Sequence, residues 1–295
     1  MKNTSYAGLA IKVALFYLIA AGVCQSIQAQ SEVRFRLAHD TLIVVSLMAN
    51  EEGPFDFVLD TGADTTIVDP SIVPRLSLVP LDSQQQTTLA GVQTLTRGSM
   101  RILKVGPTQV GNLVVLVQDL AELRKLDSHI EGIVGQDFLS HFNYLLDYRS
   151  HVVHIEQANE IQDAIQGDQV SLEAADNRML VASEARSRNH ATLHLLLDSG
   201  ANSIVLLRTA SQALNLQTQA SGVEMTSSGQ VGLRVARVHE LLVGSEEFHD
   251  IAVALPAADP AERIGDGLLP TAFFRALYVN NKKGFVVFNP RVKKN

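Results

Sequence analysis

Apolar residues in this chain come in short runs, broken by Gly, Asn, Pro and charged residues. Runs at 42–47, 55–59, 100–105 and 113–117 have strand length, and similar ones recur at 180–183, 193–197 and 232–238. Frequent short runs rich in β-branched residues with turn signals between them predict an all-β fold. Helix-like stretches are few and short, near 71–77, 120–127, 136–142, 207–215 and 270–276.

One run does not fit that rhythm. Residues 13–23 (VALFYLIAAGV) are 11 uninterrupted apolar residues, preceded by Lys2 and Lys12 and followed by a short polar stretch ending at Ala29. A basic start, a short apolar core and a small residue at the cut are the layout of a secretory signal. The expectation is a signal peptide over 1–29, cleaved after Ala29. A bilayer needs about 20 apolar residues, so an uncleaved anchor is the weaker alternative. A lipidated Cys24 is a third, since Ala21-Gly22-Val23 only loosely resembles a lipobox.

Composition narrows the function. The chain has 295 residues, with 24 basic against 31 acidic and a formal net charge of −7. A chain that must neutralise phosphates is usually basic, so no nucleic-acid partner is expected. A single Cys excludes a disulfide framework and any Cys-based zinc site. The length allows one large domain or two small ones.

The chain beyond the leader is written twice. Phe57-Val58-Leu59-Asp60-Thr61-Gly62-Ala63-Asp64 is matched by Leu195-Leu196-Leu197-Asp198-Ser199-Gly200-Ala201-Asn202, 138 residues later. Ile133-Val134-Gly135 pairs with Leu268-Leu269-Pro270, and each half closes on a strand-like run, at 151–155 and 285–288. Several matches in one order at nearly constant spacing indicate a duplicated domain. Polar, non-alternating sequence near 157–168 marks the boundary. The expected organisation is a first lobe at 30–157, a linker at 158–168 and a second lobe at 169–295.

A single Asp-Thr-Gly is an ordinary turn after a strand. Two in duplicated lobes are more informative. An apolar strand brings each Asp to a sheet end, and the following Gly lets the backbone turn close to its mate. If the lobes face each other, Asp60 and Asp198 meet at a pseudo-twofold axis. Two carboxylates a few ångströms apart share one proton. The ionised one can then take a proton from a water, and the protonated one can donate to a carbonyl.

At these residues the sequence resembles the retropepsin-like aspartic proteases of bacteria, as two fused lobes in one chain. The resemblance rests on Asp60 to Asp64, Asp198 to Asn202 and Ile133-Val134-Gly135. It implies a bilobal acid-protease β-barrel architecture and an aspartic endopeptidase acting on a polypeptide substrate, with no cofactor and no metal. Asp60 and Asp198 would be the catalytic pair. Thr61, Gly62, Ala63, Ser199, Gly200 and Ala201 would support the two loops. Flap hairpins would have their tips near Gly91 and Gly229. The chain would be a monomer, an intramolecular pseudo-dimer, exported to the periplasm and not inserted in a membrane once its leader is cut. Secretion or tethering by the N-terminus are the alternatives.

Two features qualify that picture. Pro270 stands where the second lobe should carry the counterpart of Gly135. Pro lacks an N–H and fixes φ, so either the backbone differs there or the halves are out of step by one residue. The competing reading is an exported, non-catalytic peptide-binding module with a degenerate protease fold. Ala63 and Ala201 also stand where pepsin-type lobes usually carry a hydroxyl. Fewer hydrogen bonds to the charged form imply a less acidic working range. His151 and His154 have metal-like spacing only for a helix; in the expected strand, i and i+3 face opposite sides.

Overall fold

The computed structural model describes residues 32–88, 91–156, 161–175, 178–226, 229–260 and 265–293. The expected signal peptide lies outside these residues. No helix among them is long and apolar enough to cross a membrane.

Each half begins with an antiparallel pair that delivers an aspartate. Leu42–Ala49 pairs with Glu52–Leu59, and Arg178–Arg186 pairs with His190–Asp198. Both delivering strands then gain a parallel neighbour, Ile130–Val134 in the first half and Gly267–Pro270 in the second. A strand flanked on both edges and covered on both faces is selected for continuous apolar sequence. That is why the runs before Asp60 and Asp198 do not alternate. Phe57, Leu59, Leu195 and Leu197 are buried.

The order of elements repeats beyond the aspartates. Ile67–Val68 and Ile204–Leu206 each run parallel to a later strand, Thr108–Val117 and Glu246–Pro256. Long hairpins follow, Val79–Thr88 with Gly91–Val105 and Ala220–Thr226 with Gly229–Val243. Their last pairs are Thr88 with Gly91 and Thr226 with Gly229. Hairpins thus form at both places where flaps were expected, although the turn residues 89–90 and 227–228 lie outside the described ones.

The lobes are joined by a sheet that the sequence did not reveal. Asn143–Asp147 from the first half pairs antiparallel with Ala276–Asn280 from the second, with Leu146 opposite Leu277. Val152–Glu156 and Glu32–Ala38 extend this sheet on one side, and Phe285–Phe288 and Gln169–Ala175 extend it on the other. Three strands from each half therefore form one six-stranded platform. One buried cluster runs through both lobes, from Val33 to Phe288. Tyr144 of the first half reaches Met179 of the second, Oη to Sδ 3.8 Å.

Helices are confined to short pieces, Val73–Leu76, Ala121–Leu126, Gln136–Leu139 and Arg208–Ala213. The expected helix at 270–276 is only a 3-10 turn, Thr271–Phe273, because the chain re-enters the shared sheet at Ala276. Within the expected linker, residues after the undescribed 158–160 form a 3-10 turn, Gln162–Ala164, and a strand, Ile165–Gln166, paired with Arg291–Val292.

Close packing around the parallel pair gives a test of this arrangement. A Cβ on Gly267 would fall on the carbonyl oxygen of Val205, whereas one on Gly222 would meet nothing within 4 Å. Gly267→Ala should cost at least ~2 kcal/mol through overpacking, read as a lower urea midpoint. Gly222→Ala should change stability by less than about 1 kcal/mol.

Candidate active site

The two Asp loops meet at the centre of the molecule and are locked by reciprocal hydrogen bonds. Thr61 Oγ1 donates to the carbonyl of Leu197 at 2.8 Å and accepts from the N–H of Ser199 at 3.0 Å. Ser199 Oγ donates to the carbonyl of Leu59 at 2.7 Å and accepts from the N–H of Thr61 at 2.9 Å. Both hydroxyl residues are 1% exposed. A buried hydroxyl without partners is costly, and these two find theirs only in the opposite loop.

The lock brings the carboxylates together. Gly62 N–H donates to Asp60 at 2.8 Å, and Gly200 N–H donates to Asp198 at 2.7 Å. Each glycine also lies against the other lobe's carboxylate. A Cβ on Gly62 would be 2.6 Å from Asp198 Cγ, and one on Gly200 would be 2.6 Å from Asp60 Oδ2. The glycines are required by this close approach, since neither adopts a left-handed backbone. Ala63 and Ala201 pack into small apolar clusters beside their loops.

Both acids are harder to ionise than an ordinary carboxyl. Burial raises Asp60 above its ordinary value of 3.8, against hydrogen bonds from Gly62, Asp198 and Ala63 that favour its charge. Asp198 is raised well above 3.8, first by burial and then by the negative charge of Asp60. Burial and mutual repulsion therefore favour one proton shared by the pair.

The supports behind the two loops differ. Behind the first, Gln136 Nε2 donates to the Thr61 carbonyl at 2.9 Å, and Asp137 accepts from Thr66 N–H and Oγ1 at 2.9 and 2.7 Å. A Cβ on Gly135 would lie 2.8 Å from the Ala63 oxygen, so this position needs Gly. The second loop has Pro270 there, and the halves are in step: Leu59 pairs with Val134, and Leu197 with Leu269. Pro270 sits at φ −62, ψ 127, and Gly135 at φ −103, ψ −169, so the backbones differ but both are extended. Gly135 N–H donates to Thr66 Oγ1 at 3.3 Å. Ile204 stands in place of Thr66 in the second lobe and has no hydroxyl to accept such a bond. The missing N–H of Pro270 therefore leaves no orphan there.

Two bonds between the lobes were not anticipated. Tyr148, from the first lobe, shares a 2.6 Å hydrogen bond with Thr271 Oγ1, next to Pro270. Its phenol is held neutral by burial, reinforced by the nearby Asp198 and Asp60 charges. Arg178, from the second lobe, pairs in a two-pronged fashion with Asp64, at 3.1 and 2.8 Å. Asn202 is the counterpart of Asp64, so this ion pair has no twin. Nothing local in the sequence marks Tyr148 or Arg178, because their partners are 123 and 114 residues away.

His151 stacks on Phe35, and His154 faces Glu32 at 3.9 Å, so the two do not converge. Among the described residues, Glu240, Glu247 and His249 lie close enough to hold a cation. They lie far along the chain from both Asp loops, and Glu240 is paired with Arg186.

The aspartyl protease family model matches residues 45–138 and again 184–273, so that each match contains one Asp loop. The chain belongs to the aspartyl protease family. No curated protein matches it. Among solved structures it is similar to basic 7S globulin from soybean, at 9% identity and TM-score 0.45, over 87% of this chain and 93% of that one. It is also similar to a retropepsin-like aspartic protease from Rickettsia conorii, at 14% identity and TM-score 0.31, over 44% of this chain and 95% of that one.

Two measurements test the lock and the shared proton of the two Asp loops. Thr61→Val keeps the shape but strands the Ser199 N–H and the Leu197 carbonyl, at a cost of roughly 2–4 kcal/mol; Thr61→Ser should cost about 1 kcal/mol. Because Asp198 is raised, the folded chain keeps a proton that the unfolded chain releases above about pH 4. Wild-type stability should therefore fall as pH rises from 4 towards neutrality. Asp198→Asn should abolish part of that fall. Parallel urea midpoints for the two proteins across this range would contradict the assignment.

Proposed function

We propose that this aspartyl protease is an endopeptidase whose catalytic pair is Asp60 and Asp198. The observation that carries this reading is the contact of Gly62 with the Asp198 carboxylate and of Gly200 with the Asp60 carboxylate. A water bound between the acids would lose a proton to ionised Asp60 as its oxygen attacks the scissile carbonyl. Protonated Asp198 would donate to the carbonyl oxygen as it gains negative charge. Collapse of the tetrahedral intermediate would pass a proton to the leaving nitrogen, break the C–N bond and restore one shared proton. This is general acid–base hydrolysis, in which the protein supplies positioning and two separated proton affinities.

In this reading Thr61 and Ser199 hold the loops, and the hairpins closing at Gly91 and Gly229 cover an extended substrate, bound in part by strand-like hydrogen bonds. Both halves contribute to one site, so a monomer suffices. Loss of residues 1–29 belongs to the same proposal, carried by the apolar run at 13–23, and residence in the periplasm rests on that run together with the family resemblance.

The test is cleavage of a peptide library by the purified chain across pH 3–8. Asp60→Asn and Asp198→Asn should each lower kcat/KM by roughly 10³-fold or more. Absence of any cleavage by the wild type would favour the binding-module reading, and full activity in either variant would remove that residue from the site. With Ala63 and Ala201 supplying no hydroxyl to the ionised acids, the rate should peak at less acidic pH than in pepsin-type sites. A maximum near pH 2 would contradict that.

A further inference from the structure

A cavity of about 570 Å³ opens in the second lobe, and none of its lining residues belongs to either Asp loop. Its floor is Leu206, Leu255 and Pro256, all buried. Ile204–Leu206 runs parallel to Glu246–Pro256 with Val205 opposite Ala254, which sets Leu206 beside Leu255. Arg234 is the cross-strand partner of Leu255 on the next strand. The facing wall is the helix Arg208–Ala213, which turns Arg208, Ser211 and Gln212 to the cavity. These are positions i, i+3 and i+4, one face of a helix.

Several arginines of the chain are neutralised by a neighbouring acid, and the two at this cavity are not. Arg36, Arg97, Arg124, Arg178 and Arg186 are each paired with a carboxylate. Arg208 and Arg234 have no ion pair among the described residues, in a chain with 31 acids for 24 bases. The nearby acid Asp259 is engaged by the main chain, accepting the Arg208 N–H at 2.9 Å. Two exposed guanidiniums thus face one cavity with a hydroxyl, an amide and an apolar floor.

We propose that this cavity is a binding site for an acidic peptide segment, with a carboxylate held by Arg208 and Arg234 and a neighbouring apolar side chain on Leu206 and Leu255. Guanidinium forks match carboxylate geometry and form the stronger, charge-assisted hydrogen bonds. The volume lies within the roughly 300–1,000 Å³ of ordinary ligand sites, which is far more than a bare anion fills. An occupant with both charge and apolar surface uses the whole cavity. This site is independent of the chemistry at Asp60 and Asp198.

Binding can be measured on the full chain carrying Asp60→Asn, so that loss of binding is not confused with cleavage. The probes are acetyl-Leu-Glu-Leu-amide, acetyl-Leu-Gln-Leu-amide and inorganic phosphate, followed by calorimetry. The glutamate peptide should bind about tenfold more tightly than the glutamine peptide, and Arg208→Gln or Arg234→Gln should each weaken it about tenfold. Ser211→Trp, which fills the cavity and keeps both charges, should also abolish binding. Equal affinity for the two peptides, undiminished binding in the Arg208→Gln/Arg234→Gln double variant, or phosphate binding as tight as the glutamate peptide would each overturn the proposal.

Discussion

Everything at the centre of this protein depends on satisfying two buried hydroxyls. Thr61 and Ser199 sit where water does not reach, and each can complete its hydrogen bonds only with the main chain of the other loop. The loops must therefore meet, and meet in one register. Once they do, Gly62 and Gly200 lie against the opposite carboxylates, and two acids share a small, partly dry space. Burial and mutual repulsion then leave one of them protonated. The local chemistry follows from a packing constraint that neither lobe can satisfy alone.

The shared sheet makes that meeting obligatory. Asn143–Asp147 and Ala276–Asn280 are neighbours in one ladder, and the buried cluster is continuous across both lobes. Separating the halves would expose sheet edges and apolar area as well as the hydroxyls. Around this common frame the lobes have diverged. Gln136 and Asp137 brace the first loop from within its own lobe. The second loop has Pro270 and Thr271 instead, and Thr271 is held by Tyr148 from the first lobe. Arg178 returns the connection by pairing with Asp64. Each loop is thus tied to the opposite lobe by one further bond, and the two bonds are chemically different, which makes the central pair unsymmetrical.

Much of this was legible in the chain. The duplicated Asp loops and the short apolar runs could be found by spacing and pattern, and hairpins near Gly91 and Gly229 were implied by the family resemblance. Pro270 breaks the match with Gly135, and the backbone does differ there. The N–H that Pro lacks matters only where Thr66 supplies an acceptor, and the second lobe has Ile204 in its place. The shared sheet was missed because its strands look like any other apolar run; pattern reports burial and says nothing about which strand lies alongside.

The sequence by itself determined that there are two lobes, that each places an aspartate at the end of a buried strand, and that the strands are short. These are local properties, set by the period of side chains along a strand and by turn residues. Tertiary structure alone decided that Asp60 and Asp198 come close enough to share a proton, that Tyr148 and Arg178 brace the loops, and that Arg208 and Arg234 stand together over an apolar floor. Those outcomes depend on distances between residues remote in the chain, and on burial, which acts through everything packed around a group.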